Sequence, residues 1–323
     1  MRPRALLAVA AGLATTIVCS AGAAVESGAA TGQSSRPLLG SDHTGTIYSV
    51  QPGGAGFTRL FPCGLGSPVL SPDRRTYLAH GIERRAVLTY GRIFRLPVTE
   101  PVDLGCVNGH NDRLPAADTG LKGWFPRFSP NGRRILFIDD KSGRVAAAAA
   151  NGSGKRLIGP RDVVAAGWSP DGGKIVIARP SFHSPCPTNQ GRPPSSNKYC
   201  YTGQIQVMDA NGANVRTLYV VPKYKPQRQL IGVRTVDWSR LGKILFTIQS
   251  GAGASQLAVI DADGSGFRAV TKWPQRAING VWSPTGRQIA FSTRGVGGVF
   301  LITPAGRPIS NVTKTFATNG LDW

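Results

Sequence analysis

Acid is the scarce charge in this 323-residue chain: aspartate and glutamate number 17 against 38 lysines and arginines, a formal net charge of +21. Arginine supplies 28 of those cations. So cationic a chain is drawn to anionic polymers and surfaces rather than to basic ones. Sulfur is sparse too, with five cysteines and two methionines. No Cys-x-x-Cys spacing occurs, which excludes ribbon-type zinc sites and thioredoxin-like redox chemistry. No G-x-S-x-G elbow occurs, which excludes the nucleophile of an α/β-hydrolase. Beyond the N-terminus no apolar run approaches membrane-spanning length, so no transmembrane anchor is expected.

The one long apolar stretch is ALLAVAAGLATTIV (5–18), which follows Arg2 and Arg4 and precedes the small residues SAGAA (20–24). A basic n-region, a short apolar core and small residues in that order read as an export signal covering 1–24. Bulky Val18 before Cys19 argues against a lipoprotein cleavage site. Removal of 1–24 leaves a net charge of about +19. A flexible segment, 25–36, is expected to precede the folded part. Export makes the remaining cysteines readable: Cys63, Cys106, Cys186 and Cys200 are even in number, and two disulfides are expected in an oxidising compartment. Three connectivities exist. Cys186 and Cys200 share one insertion, and Cys63 and Cys106 flank the second repeat, so the expected bridges are Cys186–Cys200 and Cys63–Cys106.

From residue 37 onward the chain repeats itself. VLSPDRRTYLAH (69–80), RFSPNGRRILFID (127–139), GWSPDGGKIVIAR (167–179), DWSRLGKILFTI (237–248) and VWSPTGRQIAFST (281–293) share one plan. A bulky residue leads into a polar Ser-containing turn, then cations, then an alternating β-branched run. The residue two after each serine is Asp73, Asn131, Asp171, Leu241 or Thr285, and no catalytic carboxylate tolerates such variation. A second pattern follows each: IYSVQPGGAGFTRL (47–60), VAAAAANGSGKRLI (145–158), IQVMDANGANVRTL (205–218), LAVIDADGSGFRAV (257–270) and FLITPAGRPISNVT (300–313). Apolar runs around a Gly-rich turn are hairpin chemistry. Two hairpins per unit, at a period near 40 residues where nothing is inserted, are the mark of a propeller blade.

These residues resemble the TolB-type propeller repeat, in which W-S-P-D-G-K precedes a strand and a D-A-D-G turn follows. The resemblance covers essentially all of 37–323. It implies an all-β fold: a six-bladed β-propeller of four-stranded antiparallel blades. The first strands end at Leu70, Phe128, Trp168, Trp238, Trp282 and Trp323. Because the chain starts at Pro37 with a second strand and stops after NGLDW (319–323), the C-terminal strand is expected to close the N-terminal blade, hiding sheet edges. In the second blade AVLTY (86–90) and RIFRLPV (92–98) compete for one position. TolB has a separate N-terminal domain for which this chain has no room.

Several residue sets invite a sharper reading. Trp168, Trp238, Trp282 and Trp323 recur at one position and are expected to pack between blades. Asp261, Asp263, Ser265 and Gly266 imitate the start of an EF-hand loop, but its twelfth position is Lys272, so a hairpin turn is expected and no metal. The Ser-Pro and D-A-D-G turns should share one face, with Arg133, Arg134, Lys155, Arg156, Lys174, Arg216, Lys243, Arg268 and Arg287. The opposite, loop face should carry the insertion 181–203, the loop 221–230, the four cysteines, and His43, His80, His110 and His183 as exposed loop residues.

Two classes of function stand. The first is an exported, non-enzymatic, monomeric propeller in the periplasm, envelope or medium, without cofactor. It would bind an envelope protein or anionic polymer on the loop face through Arg192, Lys198, Tyr199, Tyr201, Tyr224, Lys225 and Arg228. Nucleic acid is not expected, since no basic stripe with stacking aromatics is present. The second is a metal-dependent propeller enzyme of lactonase or glycan-processing type, with Asn108, Asn111, Asp112 and Asn279 around a central channel.

Overall fold

Each Ser-containing turn separates two runs of β-branched and aromatic residues, and the chain folds back on itself there. In this computed structural model the described residues are 36–61, 64–82, 91–98, 117–183, 200–221, 231–250, 254–272, 276–293, 297–313 and 320–323, with only the backbone path described at 117, 181–183, 200–202, 231 and 250. The first sheet contains β1 (Leu38–Ser41), β2 (Ile47–Val50) and β3 (Thr58–Phe61). β4 (Leu65–Leu70), β5 (Thr76–Gly81) and β6 (Arg92–Pro97) follow. β7 (Ala117–Phe128) then leads into β8 (Arg134–Asp139), β9 (Val145–Ala149) and β10 (Arg156–Ile158). The next sheet is β11 (Ala165–Trp168), β12 (Lys174–His183), β13 (Cys200–Asp209) and β14 (Arg216–Val220). After it come β15 (Ile231–Trp238), β16 (Lys243–Ser250), β17 (Ser255–Asp261) and β18 (Arg268–Ala269). A further sheet holds β19 (Ala277–Trp282), β20 (Ile289–Thr293), β21 (Val299–Ile302) and β22 (Pro308–Thr313).

Two strands depart from the simple order. β7 serves two arrays, pairing with β6 through Ala117–Lys122 and with β8 through Gly123–Phe128. The final strand, β23 (Gly320–Asp322), pairs antiparallel with β1, Leu39 opposite Asp322 and Ser41 opposite Gly320. Of the two competing segments in the second repeat, Arg92–Pro97 is the strand between β5 and β7, while 86–90 falls outside the described residues.

Apolar clusters between consecutive sheets make the core. Trp168 packs with Leu136, Ile138 and Val145 of the preceding sheet, and Trp282 with Leu245, Leu257 and Val259. Trp238 packs against a cluster that joins Val176 and Ile205 to Ile244 and Phe246. Trp323 and Leu38 join Val281, Ala290 and Leu301, so the last repeat packs on the first. Leu70 meets Leu39 and Ile47, and Phe128 meets Val69, Leu78 and Ile93. The repeated aromatics are therefore packing residues. Sheets covered on both faces explain why Ile135–Ile138 and Ile175–Ala178 read as unbroken apolar runs, whereas the outer β14 and β22 are largely exposed.

Neighbouring sheets also approach closely at the rim. Gly152, in the β9–β10 turn, has φ +89° and a Cβ there would lie 2.0 Å from the carbonyl oxygen of Thr119 on the sheet before. Only glycine satisfies both conditions.

Candidate functional site

The repeated serines are bound up in their own turns. Ser71, Ser129, Ser169, Ser239 and Ser283 are all buried. Their hydroxyl oxygens accept the backbone N–H of Thr76, Arg134, Lys174, Lys243 and Gln288 at 2.8–3.1 Å. Ser71, Ser129 and Ser169 in turn donate to the side chains of Asp73, Asn131 and Asp171 at 2.6, 2.8 and 2.5 Å. Those hydrogen bonds hold the Asp73 and Asp171 carboxyls below the usual range. Such a serine is an anchored turn residue, not a nucleophile. The D-A-D-G turn is closed likewise: Asp263 accepts from the N–H and hydroxyl of Ser265 at 2.8 and 2.7 Å, and Asp261 pairs with Lys243.

The ends of the innermost strands converge on a cavity of about 230 Å³. Its wall carries Arg36, Arg127, Asp237 and Asp322. Asp322 accepts from the Leu70 N–H at 3.0 Å and pairs with Arg36 at 3.5 Å and Arg127 at 3.3 Å. Asp237 accepts the Trp282 N–H at 2.6 Å. Desolvation raises the Asp237 carboxyl above the usual range, against the pull of Arg127 and the Trp282 N–H. Each of these aspartates precedes a repeated tryptophan and bonds to the corresponding backbone N–H of the next sheet. This hub is a hydrogen-bonded and ion-paired brace between sheets. Sequence reasoning missed it; the recurring Asp-Trp pair at 237–238 and 322–323 was the available signal.

On the turn face most cations are engaged within the fold. Lys155 pairs with Asp139, Lys174 with Asp209 and Lys243 with Asp261. The guanidinium of Arg134 sits 5.2 Å from the Trp168 ring centroid. Arg216 and Arg268 donate to the carbonyls of Asp263 and Pro304 in the following sheet. Exposed pairs of this kind contribute little stability, but they use the charges.

At the other ends of the strands, β4, β7, β15 and β19 share an irregularity. Their registers shift between Gly66 and Val69, Trp124 and Arg127, Val233 and Val236, and Ile278 and Val281. Ser67, Phe125 and Asn279 in these bulges have φ of 49°, 53° and 53°. His80 lies beside the second bulge, its ring 5.1 Å from Trp124 and 5.8 Å from Phe125. It is buried, not the exposed loop residue expected, and burial lowers its pKa to about 4.

β12 and β13 pair over ten residues, from Lys174–Asp209 at the turn face to His183–Cys200 at the far end. The paired strands β12 and β13 thus run away from the Ser-Pro turns as far as His183 and Cys200, and 184–199 fall outside the described residues. Arg192, Lys198, Tyr199, Tyr224, Lys225 and Arg228 fall outside the described residues. So do Cys63, Cys106, Cys186, Asn108, Asn111 and Asp112. Tyr201 and Cys200 lie on β13, with only their backbone described. Asn279 donates to the Ser292 hydroxyl at 3.3 Å. Among the described residues no three His, Cys, Asp or Glu side chains are gathered as for a metal, and no helix is long and apolar enough to cross a membrane.

No protein-family model matches the chain, and no curated protein matches it in sequence. Solved structures do match. The structure of a TolB protein from Agrobacterium tumefaciens aligns over 88% of this chain and 90% of its own, with a TM-score of 0.57 at 18% identity. TolB from Acinetobacter baumannii aligns over 89% of this chain but 65% of its own, with a TM-score of 0.58 at 17% identity. A chain of a nidogen–laminin complex aligns over 88% and 97%, with a TM-score of 0.57 at 12% identity. Identities this low speak to fold alone. The fold is a TolB-like β-propeller.

Proposed function

We propose that the chain is an exported, non-enzymatic, six-bladed propeller, closed by β23 on β1, that binds an envelope protein or anionic polymer through its loop face. One observation carries the reading: the hairpin that leads to the insertion pairs over ten residues, against seven or fewer in the corresponding hairpins of the other sheets. The turn face spends its serines, acids and most of its cations on its own turns and on neighbouring sheets. The loop face carries an insertion on a hairpin longer than those of the other sheets. Inserted loops on a rigid scaffold are where binding residues gather. In this reading residues 1–24 supply the route out of the cytoplasm.

The contact patch in this reading is Arg192, Lys198, Tyr199, Tyr201, Tyr224, Lys225 and Arg228. A Cys186–Cys200 bridge would clamp the insertion and lower the entropy lost on binding; Cys63–Cys106 would do the same one blade earlier. Non-reducing peptide mapping that recovers Cys63 joined to Cys186 would refute that pairing. The main test is capture of a partner from envelope extract. Replacing 187–199 by a Gly-Ser linker should abolish a saturable interaction, while charge reversal at Arg133, Arg134 and Arg287 should leave it intact. Equal loss from both variants, with full elution by moderate salt, would reduce the interaction to diffuse attraction.

A further inference from the structure

The brace at the hub leaves hydrogen-bond donors over. Trp168 and Trp282 line the hub cavity and are 7% and 4% exposed. The indole N–H of each is buried and has no hydrogen-bond partner among the described residues. At the corresponding position of the closing repeat the Trp323 indole is satisfied: it donates at 3.0 Å to the carbonyl of Arg36, another residue of the cavity wall. Arg127 is under-used as well. A guanidinium carries several N–H donors, yet among the described residues this one makes a single hydrogen bond, at 3.3 Å, to Asp322. Buried donors without acceptors are costly and seldom left so. Charge points the same way. Arg36, Arg127 and Arg240 line the cavity against Asp237 and Asp322, an excess of one positive charge with both carboxyls ionised. Desolvation favours the neutral form of Asp237 and so widens that excess.

We propose that the hub cavity is a binding site for a small oxyanion of phosphate or carboxylate type, anchored by Arg127 and completed by the indole N–H groups of Trp168 and Trp282. A guanidinium fork matches two oxygens of such a group side by side, and hydrogen bonds to an ionised acceptor are the strong ones. A metal cation would meet guanidinium charge first. Water alone would satisfy an indole but leave the positive excess unmatched. The cavity, about 230 Å³, admits an ion of this size. The site goes beyond the loop-face reading and does not depend on it, since Pro72, Pro130 and Pro170 of the Ser-Pro turns form part of its wall.

The six indole N–H resonances of the full chain, labelled with 15N-tryptophan, test this during titration with inorganic phosphate, sodium chloride holding the ionic strength constant. Saturable shifts are expected at Trp168 and Trp282, while Trp323, whose N–H is already held by the Arg36 carbonyl, stays in place. Acetate, which presents the carboxylate alone, should move the same two resonances. Arg127→Gln should weaken phosphate binding by at least about tenfold. Trp168→Phe keeps an aromatic ring in the core but removes one donor, and should weaken the shift at Trp282 by roughly tenfold. Replacement of 187–199 by the Gly-Ser linker should leave the phosphate shifts intact, so this proposal and the loop-face reading fail separately. Failure of either Trp168 or Trp282 to shift, equal drift of all six resonances, or undiminished phosphate binding by Arg127→Gln or Trp168→Phe would overturn the proposal.

Discussion

Deleting residues 320–323 removes the strand that ties the end of the chain to its beginning. Leu321 and Trp323 are 4% and 5% exposed, and both belong to the cluster joining the last repeat to the first. Truncating a buried Leu or Trp typically costs about 2–5 kcal/mol each, allowing for partial collapse of the gap. Loss of Asp322 also strips the Leu70 N–H of its acceptor and Arg36 and Arg127 of a counter-charge, about 1–3 kcal/mol more. The three pairs with β1 go too, leaving that strand's edge open. A loss on the order of 8 kcal/mol rivals the whole stability of an ordinary domain, about 5–15 kcal/mol. The deleted protein should therefore fail to melt cooperatively, or melt at least about 15 °C lower by calorimetry. Trp323→Ala should fall in between, since it keeps the strand but empties its pocket and removes the indole donor to the Arg36 carbonyl. A deletion variant melting within a degree or two of the intact chain would mean that β23 does not close anything.

Two further outcomes are expected. Gly152→Ala places a methyl against the Thr119 carbonyl, whereas Gly154→Ala, at φ +64°, meets nothing within 4 Å. Chemical denaturation should show about 1–2 kcal/mol lost at Gly154, the left-handed cost alone, and at least about 2 kcal/mol more at Gly152; equal losses would remove the inter-sheet contact from the explanation. His80, with its pKa lowered to about 4 in the folded protein, stays neutral there while the unfolded chain takes up a proton below its ordinary value near 6.5. Stability should fall as the pH drops from about 6.5 to 4, by up to about 3 kcal/mol, and this part of the dependence should vanish in His80→Leu. A wild-type curve parallel to that of the variant would show that His80 is protonated without penalty.

The repeats were legible because turn chemistry and strand periodicity are local. W-S-P-D-G announced its own hairpin, and the variable residue two after its serine, from Asp73 to Leu241, argued against a catalytic carboxylate in that turn. The tryptophans were placed by recurrence alone. The hub was harder to read, because Arg127 and Asp322 meet across 195 positions of sequence and only the Asp-Trp pair recurs, at 237–238 and 322–323. His80 was misread for a related reason: a strand-end histidine looks like a loop residue until the neighbouring sheet lays Trp124 and Phe125 over it. The bulges were hidden because an αL conformation at Phe125 contradicts the residue's own preference, and only the surrounding sheets impose it.

Hydrogen–deuterium exchange of the full chain, with and without a saturating partner fraction from envelope extract, reads the working face directly. Protection is expected in peptides covering 181–203 and 222–230, with the Ser-Pro turns at 71–75, 129–133 and 283–287 unchanged. Protection confined to those turns and to the hub around Arg127 and Asp322 would contradict a loop-face binder.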